Sequence, residues 1–220
     1  MFPRNHASLA ALRLLAVFVV FAASAAPAFA DMYEDFIFAV SNDRVSLVKD
    51  LLAKGVDPNT VSPIGEPVLV IAARAGNTGT VDALLAAKAN VNARSKFGDT
   101  AIMAAALSGH LELVKKFRSR GAEIDGAGWT PLIYAATGGQ DAVVTYLLAE
   151  GASVNAVSPN GTSALMMAVR EGKGSTVTLL LARGANVNQR NQSGATALSW
   201  ALRGNEQDMA AALRRAGAKE

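Results

Sequence analysis

The sequence predicts an all-α fold, a solenoid of about six helix-turn-helix units with short hairpin-like fingers between them. Three recurrences carry that prediction. Ala39, Ala72, Ala105, Ala135, Ala168 and Ala201 return at intervals of 33, 33, 30, 33 and 33 residues. Gly55, Gly121, Gly151, Gly184 and Gly217 keep the same phase, with Lys88 where the remaining glycine would fall. Asn59, Asn92, Asn155 and Asn188 form a third series, with Asp125 filling its gap. A period held over this length marks units that cannot bury their apolar faces alone and stack to do so.

The chain divides into an N-terminal segment, 1–30, and a repeat domain, 31–220, with units near 32–61, 62–94, 95–125, 126–157, 158–190 and 191–220. Unit one, Tyr33 to Asn59, has no finger before it and reads as the N-terminal cap of the stack. In unit two Pro67 and Val68 replace the cap and proline expected there, so its first helix lacks the usual start signal. In units three to six Thr100, Thr130, Ser163 and Thr196 precede apolar runs. A hydroxyl placed there accepts from a first-turn amide that has no intrahelical partner. Pro131 follows Thr130 at the first helical position, where no N–H is needed.

The alanine pairs Ala72-Ala73, Ala105-Ala106 and Ala135-Ala136 let neighbouring first helices approach closely. Second helices carry Leu51-Leu52, Leu84-Leu85, Leu147-Leu148 and Leu180-Leu181, apolar pairs that face the space between layers. The glycine after each second helix supplies the left-handed residue that closes a helix end. Between units, segments such as Ser158-Pro159-Asn160-Gly161 and Asn191-Gln192-Ser193-Gly194 carry turn chemistry and form the fingers. The fourth finger, Asp125-Gly126-Ala127-Gly128, is three residues short, so its tip is expected to sit lower than its neighbours or to move more. Unit six mixes Glu206, Gln207, Asp208, Arg214 and Arg215 into its apolar pattern, as suits a solvated C-terminal cap.

Unit four reads Gly128-Trp129-Thr130-Pro131-Leu132-Ile133-Tyr134-Ala135-Ala136. Two unit ends read Leu147-Leu148-Ala149-Glu150-Gly151-Ala152-Ser153-Val154-Asn155 and Leu180-Leu181-Ala182-Arg183-Gly184-Ala185-Asn186-Val187-Asn188. Together with the period, these residues resemble the ankyrin repeat from about Met32 to the C-terminus. The resemblance implies a non-catalytic scaffold that binds another protein through finger tips and the concave face of the first helices. Carried onto this chain, those positions are Arg74 in unit two, then Lys96, Phe97 and Asp99 on the next finger with Leu107 and Ser108 behind it. Trp129 and Thr137 follow in unit four, Asn160, Thr162, Arg170 and Glu171 in unit five, and Gln192 and Arg203 in unit six. Phe97 and Trp129 read either as interface anchors or as rings folded back over their own fingers. Tyr134, Met166, Met167 and Trp200 follow apolar helical spacing and read mainly as packing. The histidine that ankyrin repeats often carry after Thr-Pro-Leu is replaced by Val70, Met103, Ile133, Met166 and Ser199, so apolar packing is expected to substitute for its hydrogen bonds between units.

Residues 1–30 read as a cleavable export signal, with Arg4 and Arg13 as the basic start, an apolar run from Leu14 to Ala23, and Ala28-Phe29-Ala30 as the cleavage site. The apolar run is short for a permanent span, which needs about 20 residues, and this disfavours a retained anchor. The expected location is periplasmic or secreted, with no stable membrane insertion after cleavage. Removing the segment lowers the net charge from +3 to +1, so the rest of the chain lacks the basic surface a nucleic-acid binder needs. There is no cysteine, which leaves stability to packing and removes thiolate chemistry. His110, the one histidine after residue 30, sits at the start of a second helix and reads as structural, and no metal or other cofactor is expected. Gly172-Lys173-Gly174-Ser175 has the composition of a phosphate-binding loop but fails its spacing. The expected partner is therefore another protein, bound by a monomer that is not an enzyme. Similar bacterial periplasmic ankyrin proteins assist haem enzymes such as catalase, and a role as secreted effector or accessory factor of that kind stays open. Truncating Leu147 to Ala in the inter-layer core should cost about 2 to 5 kcal/mol, read from chemical denaturation.

Overall fold

The computed structural model describes residues 31–126 and 128–219, so the export segment read in residues 1–30 lies outside the described residues. Among the described residues twelve helices form six consecutive antiparallel pairs. The first pair is α1, residues 31–41, and α2, Val45–Ala53; the second is α3, Val68–Ala75, and α4, Thr78–Ala86. The third and fourth pairs are α5, Ala101–Ser108, with α6, Leu111–Ser119, and α7, Pro131–Gly138, with α8, Asp141–Ala149. The last two are α9, Ala164–Arg170, with α10, Gly174–Ala182, and α11, Ala197–Arg203, with α12, Gln207–Arg215. First helices stack in chain order from α3 through α5, α7 and α9 to α11, while α2 packs on α4, and α6, α8, α10 and α12 follow one another in a second layer. Each interface buries what the unit alone would expose, and one continuous apolar core runs from Phe36 to Leu213.

The repeated residues sit where their chemistry requires. All six anchor alanines have no exposed surface, because the adjacent first helix occupies the space a larger side chain would need. The hydroxyls of Thr130, Ser163 and Thr196 accept from the amides of Ile133, Met166 and Ser199 at 3.4, 3.3 and 3.1 Å. Thr100 departs from the series. Its buried hydroxyl has no hydrogen-bond partner among the described residues, and its amide donates to the Met103 sulfur at 3.4 Å. Helix α3 begins without a side-chain cap, since the Pro67 ring carries no acceptor, and the Val68 amide donates across the finger base to the Thr60 carbonyl at 2.9 Å. Lys88 takes φ 68° where the other unit ends have glycine, so a left-handed residue is needed there whatever its type.

The expectation that apolar packing replaces hydrogen bonds between units does not hold, because two other sets of side chains supply them. One is the asparagine series. The Asn59, Asn92, Asn155 and Asn188 side-chain oxygens accept from the amides of Asn90, Glu123, Asn186 and Lys219 in the following unit, at 2.7, 3.0, 2.7 and 2.8 Å. The side-chain nitrogens of Asn92, Asn155 and Asn188 donate to the carbonyls of Gly121, Gly184 and Gly217. The other set sits at the start of second helices and reaches back one unit. Asn77 donates to the Val40 carbonyl at 3.1 Å, His110 through Nε2 to that of Arg74 at 3.1 Å, and Gln140 to that of Leu107 at 3.2 Å. His110 is thereby a structural residue, its ring laid against Gly76.

Fingers pair only in part. Each of the four long fingers closes on a tight turn, with the Gly65, Gly98, Gly161 and Gly194 amides donating to Ser62, Ser95, Ser158 and Asn191. The Lys96 amide donates to the Gly65 carbonyl at 3.0 Å and the Gln192 amide to that of Asn160 at 2.9 Å, tying finger two to three and finger five to six. No such bond crosses the short segment of unit four among the described residues. The position in finger five that would donate across that gap is Pro159, which has no N–H. Nothing lies within 4 Å of the space a side chain would take at Gly98, whereas Lys96 and finger six crowd Gly65 and Gly161.

Asp125 accepts from the Ser153 amide with both carboxylate oxygens, at 3.0 and 3.3 Å, but has no donor for the unit-end carbonyl that asparagine reaches elsewhere. Asp125→Asn should therefore add a bond to Gly151 and stabilise the fold by about 0.5 to 1 kcal/mol, measured by urea denaturation at neutral pH.

Candidate functional site

Fingers two to four and the first helices behind them bring together most of the exposed apolar surface of the finger row. Ile64 and Phe97 occupy the same tip position in successive units and are 64% and 77% exposed. A tight turn leaves their side chains no core to enter. The Lys96 ammonium lies 5.0 Å from the centre of the Phe97 ring, a cation held over a π face. In unit four Trp129 remains 36% exposed and meets Tyr134 edge to face, with ring centres 5.9 Å apart. The Tyr134 hydroxyl donates to Asp99 at the base of finger three, so the aromatic pair of unit four is fastened to the preceding finger. Burial, then the hydrogen bond to the Asp99 carboxylate, push the Tyr134 phenol well above its ordinary range. Between fingers two and three a cavity of about 120 Å³ is bordered by Ile64, Phe97, Glu66, Arg74 and Asp99.

Of the residues carried over by alignment, Arg74, Lys96, Phe97, Asp99 and Trp129 belong to this cluster. Arg74 is held by Glu66, to which both terminal guanidinium nitrogens donate. Leu107 is half-buried and Ser108 exposed on α5, and the half-buried Thr137 hydroxyl turns back to the Ile133 carbonyl at 2.8 Å. The remaining residues lie across the gap of unit four. Arg170 and Glu171 are exposed and paired at 2.9 Å, Gln192 donates to the Pro159 carbonyl at 2.9 Å, and Arg203 donates to that of Ser199 at 3.3 Å. Arg170, Arg203 and the half-buried Trp200 border a second, open hollow of about 520 Å³. Asn160 is exposed, but its side-chain oxygen accepts within its own turn from Ser158 and Thr162. The expected exposure of Thr162 does not hold. It is 2% exposed, its amide donating to Ser158 Oγ and Asn160 Oδ1 and its carbonyl accepting from the Ser158 amide, so it shapes the finger and offers nothing to a partner.

Sequence reasoning missed Ile64, Glu66 and the surface role of Tyr134. The signal was present, since Ile64 and Glu66 lie 33 residues before Phe97 and Asp99. Met166 and Met167 are core residues as expected, 1% and 2% exposed. Among the described residues no group of His, Asp and Glu could hold a metal, and no helix is long and apolar enough to cross a membrane.

The family model for ankyrin repeats (three copies) matches residues 36–126, 69–158, 125–191 and 150–219, and the chain belongs to the ankyrin-repeat family. Ankyrin repeats are protein-interaction modules, typically without catalysis of their own. The chain is similar to the alpha-latrocrustotoxin-Lt1a of Latrodectus tredecimguttatus, 36% identical over 91 residues, which are 41% of this chain and 6% of the toxin. It is similar to an L-asparaginase of Dirofilaria immitis, 30% identical over 131 residues, 58% of this chain and 22% of that protein. It also matches the putative ankyrin repeat protein YahD of Escherichia coli, 27% identical over 173 residues, 60% of this chain and 86% of YahD. The chain thus spans less than a quarter of the length of the first two.

The raised Tyr134 phenol has a consequence for stability. Above the ordinary phenol pKa of about 10 the unfolded chain releases this proton while the folded chain keeps it. The stabilisation is therefore complete below that pH and is lost as pH climbs through the folded value. Tyr134→Phe should flatten this alkaline fall in melting temperature while lowering stability at neutral pH through loss of the bond to Asp99.

Proposed function

We propose that the protein is a non-catalytic scaffold of the bacterial periplasm, a monomer that holds a partner protein against fingers two to four and the concave first helices beside them. The observation that carries this reading is the strip formed by Ile64 and Phe97 at two tips and Trp129 at the foot of α7, large apolar side chains that the fold leaves exposed. Aromatic side chains in such positions dominate many protein interfaces, because they bury wide surface while losing little rotamer freedom. The repeat supplies the rest, since stacked units hold successive tips in a fixed row without any closed cleft. Periplasmic residence is supported by the export pattern of residues 1–30, and a protein partner by the near-neutral charge of the remaining chain.

Affinity capture from the periplasmic fraction with the wild-type protein and with a Phe97→Ala, Trp129→Ala double variant tests the reading, followed by titration of the recovered partner in purified form. The double variant should bind at least on the order of tenfold more weakly, as expected for two anchor residues. Equal affinity with unchanged folding removes these rings from the site. N-terminal sequencing of the same material should begin at Asp31, and recovery of the processed chain only from the culture medium contradicts periplasmic residence.

A further inference from the structure

Glu66 and Asp99 occupy the same position in successive units, and eight residues later Arg74 and Leu107 do so too. In unit two the acid is closed by its own chain, since both terminal guanidinium nitrogens of Arg74 donate to the Glu66 carboxylate. In unit three leucine stands where that arginine would be. Asp99 forms no salt bridge with any described residue. Its Oδ1 accepts from the Tyr134 hydroxyl, and its other carboxylate oxygen has no hydrogen-bond partner among the described residues. Arg74 borders the same cavity but is committed to Glu66.

The surroundings of Asp99 suit a cation with an apolar stem. Phe97 borders the same cavity and carries the Lys96 cation over its ring, Trp129 packs on the Tyr134 that binds Asp99, and the half-buried Leu107 stands at the position that Arg74 takes in unit two. Beyond Gly98 the finger row is open, because the short segment of unit four sends no bond to finger three among the described residues. An arginine fits this setting better than a lysine. Its planar fork matches a carboxylate, its guanidinium stacks on aromatic faces, and it gives up its hydration more readily.

The geometry points to an arginine in an exposed loop of the partner protein, docked with its guanidinium on Asp99 as that of Arg74 is docked on Glu66, and with its methylenes against Leu107 and Phe97. This assignment rests on the reading of fingers two to four as the partner surface, and its test separates the two.

Displayed loop peptides with randomised flanks and a central residue fixed as Arg, Lys, Leu or Glu are selected against the protein, and the strongest are titrated in purified form. Arg-centred loops should dominate. They should lose affinity on the order of tenfold on Asp99→Asn, which removes the charge but keeps an acceptor for Tyr134. Leu107→Arg should weaken them equally by closing the acid from within its own chain. Both variants should keep the circular dichroism and the cooperative unfolding of the wild type, which excludes loss of the fold as the cause. Loops that depend on Phe97 yet bind Asp99→Asn as well as wild type, or that centre on Leu or Glu, overturn the arginine assignment and leave the finger surface standing. So does failure to select any Arg-centred loop. Loops indifferent to both Phe97→Ala and Trp129→Ala sink the surface and the assignment together.

Discussion

No unit of this chain can satisfy itself, and the rest of the structure follows from that constraint. A pair of short helices leaves one apolar face open on either side, and only the next pair closes it. The anchor alanines set how closely the pairs approach, so their side chains disappear entirely into the contact. Apolar contact alone is non-directional and would tolerate sliding of one unit over the next. Register is fixed by the asparagine series, in which a side chain of one unit binds a backbone amide of the next. The residues that open the second helices fix the same register from the other side by reaching back to the preceding unit.

The exposed strip of fingers two to four is a by-product of this arrangement. Because the stack satisfies the helices, finger tips are free of any duty to the core, and their side chains can be chosen for other purposes. In units two and three those side chains are the large and apolar Ile64 and Phe97, whereas in unit five the tip position is held by the polar Asn160, which folds into its own turn. At unit four the Trp129 ring packs edge to face on Tyr134, and the Tyr134 hydroxyl donates to Asp99, so two units are joined at the surface.

The fold was legible from residue types because the alanines, cap hydroxyls and unit-end glycines each answer a steric or backbone demand made at their own position. Even Lys88, the substitution in the glycine series, keeps the left-handed backbone that the series implied. What lay between units was harder to read. The asparagines were visible as a series, but their partners are backbone groups about thirty residues away, and a backbone amide carries no residue-type signature. Thr162 was misread because alignment gives register along a finger and not the direction of a side chain within a tight turn. Glu66 was hidden by the irregular start of its helix, and the meaning of Asp99 depends on the absence of an arginine at Leu107, which a residue list does not display.

The break in the finger row has a mechanical side. Helices α5 and α7 lie so close that a side chain at Gly138 would collide with the Leu107 carbonyl, only 2.2 Å from where its Cβ would stand. On the opposite edge of the same junction no backbone bond joins fingers among the described residues. Contact between these two units thus rests on their first helices, and any side chain at position 138 would wedge α5 and α7 apart.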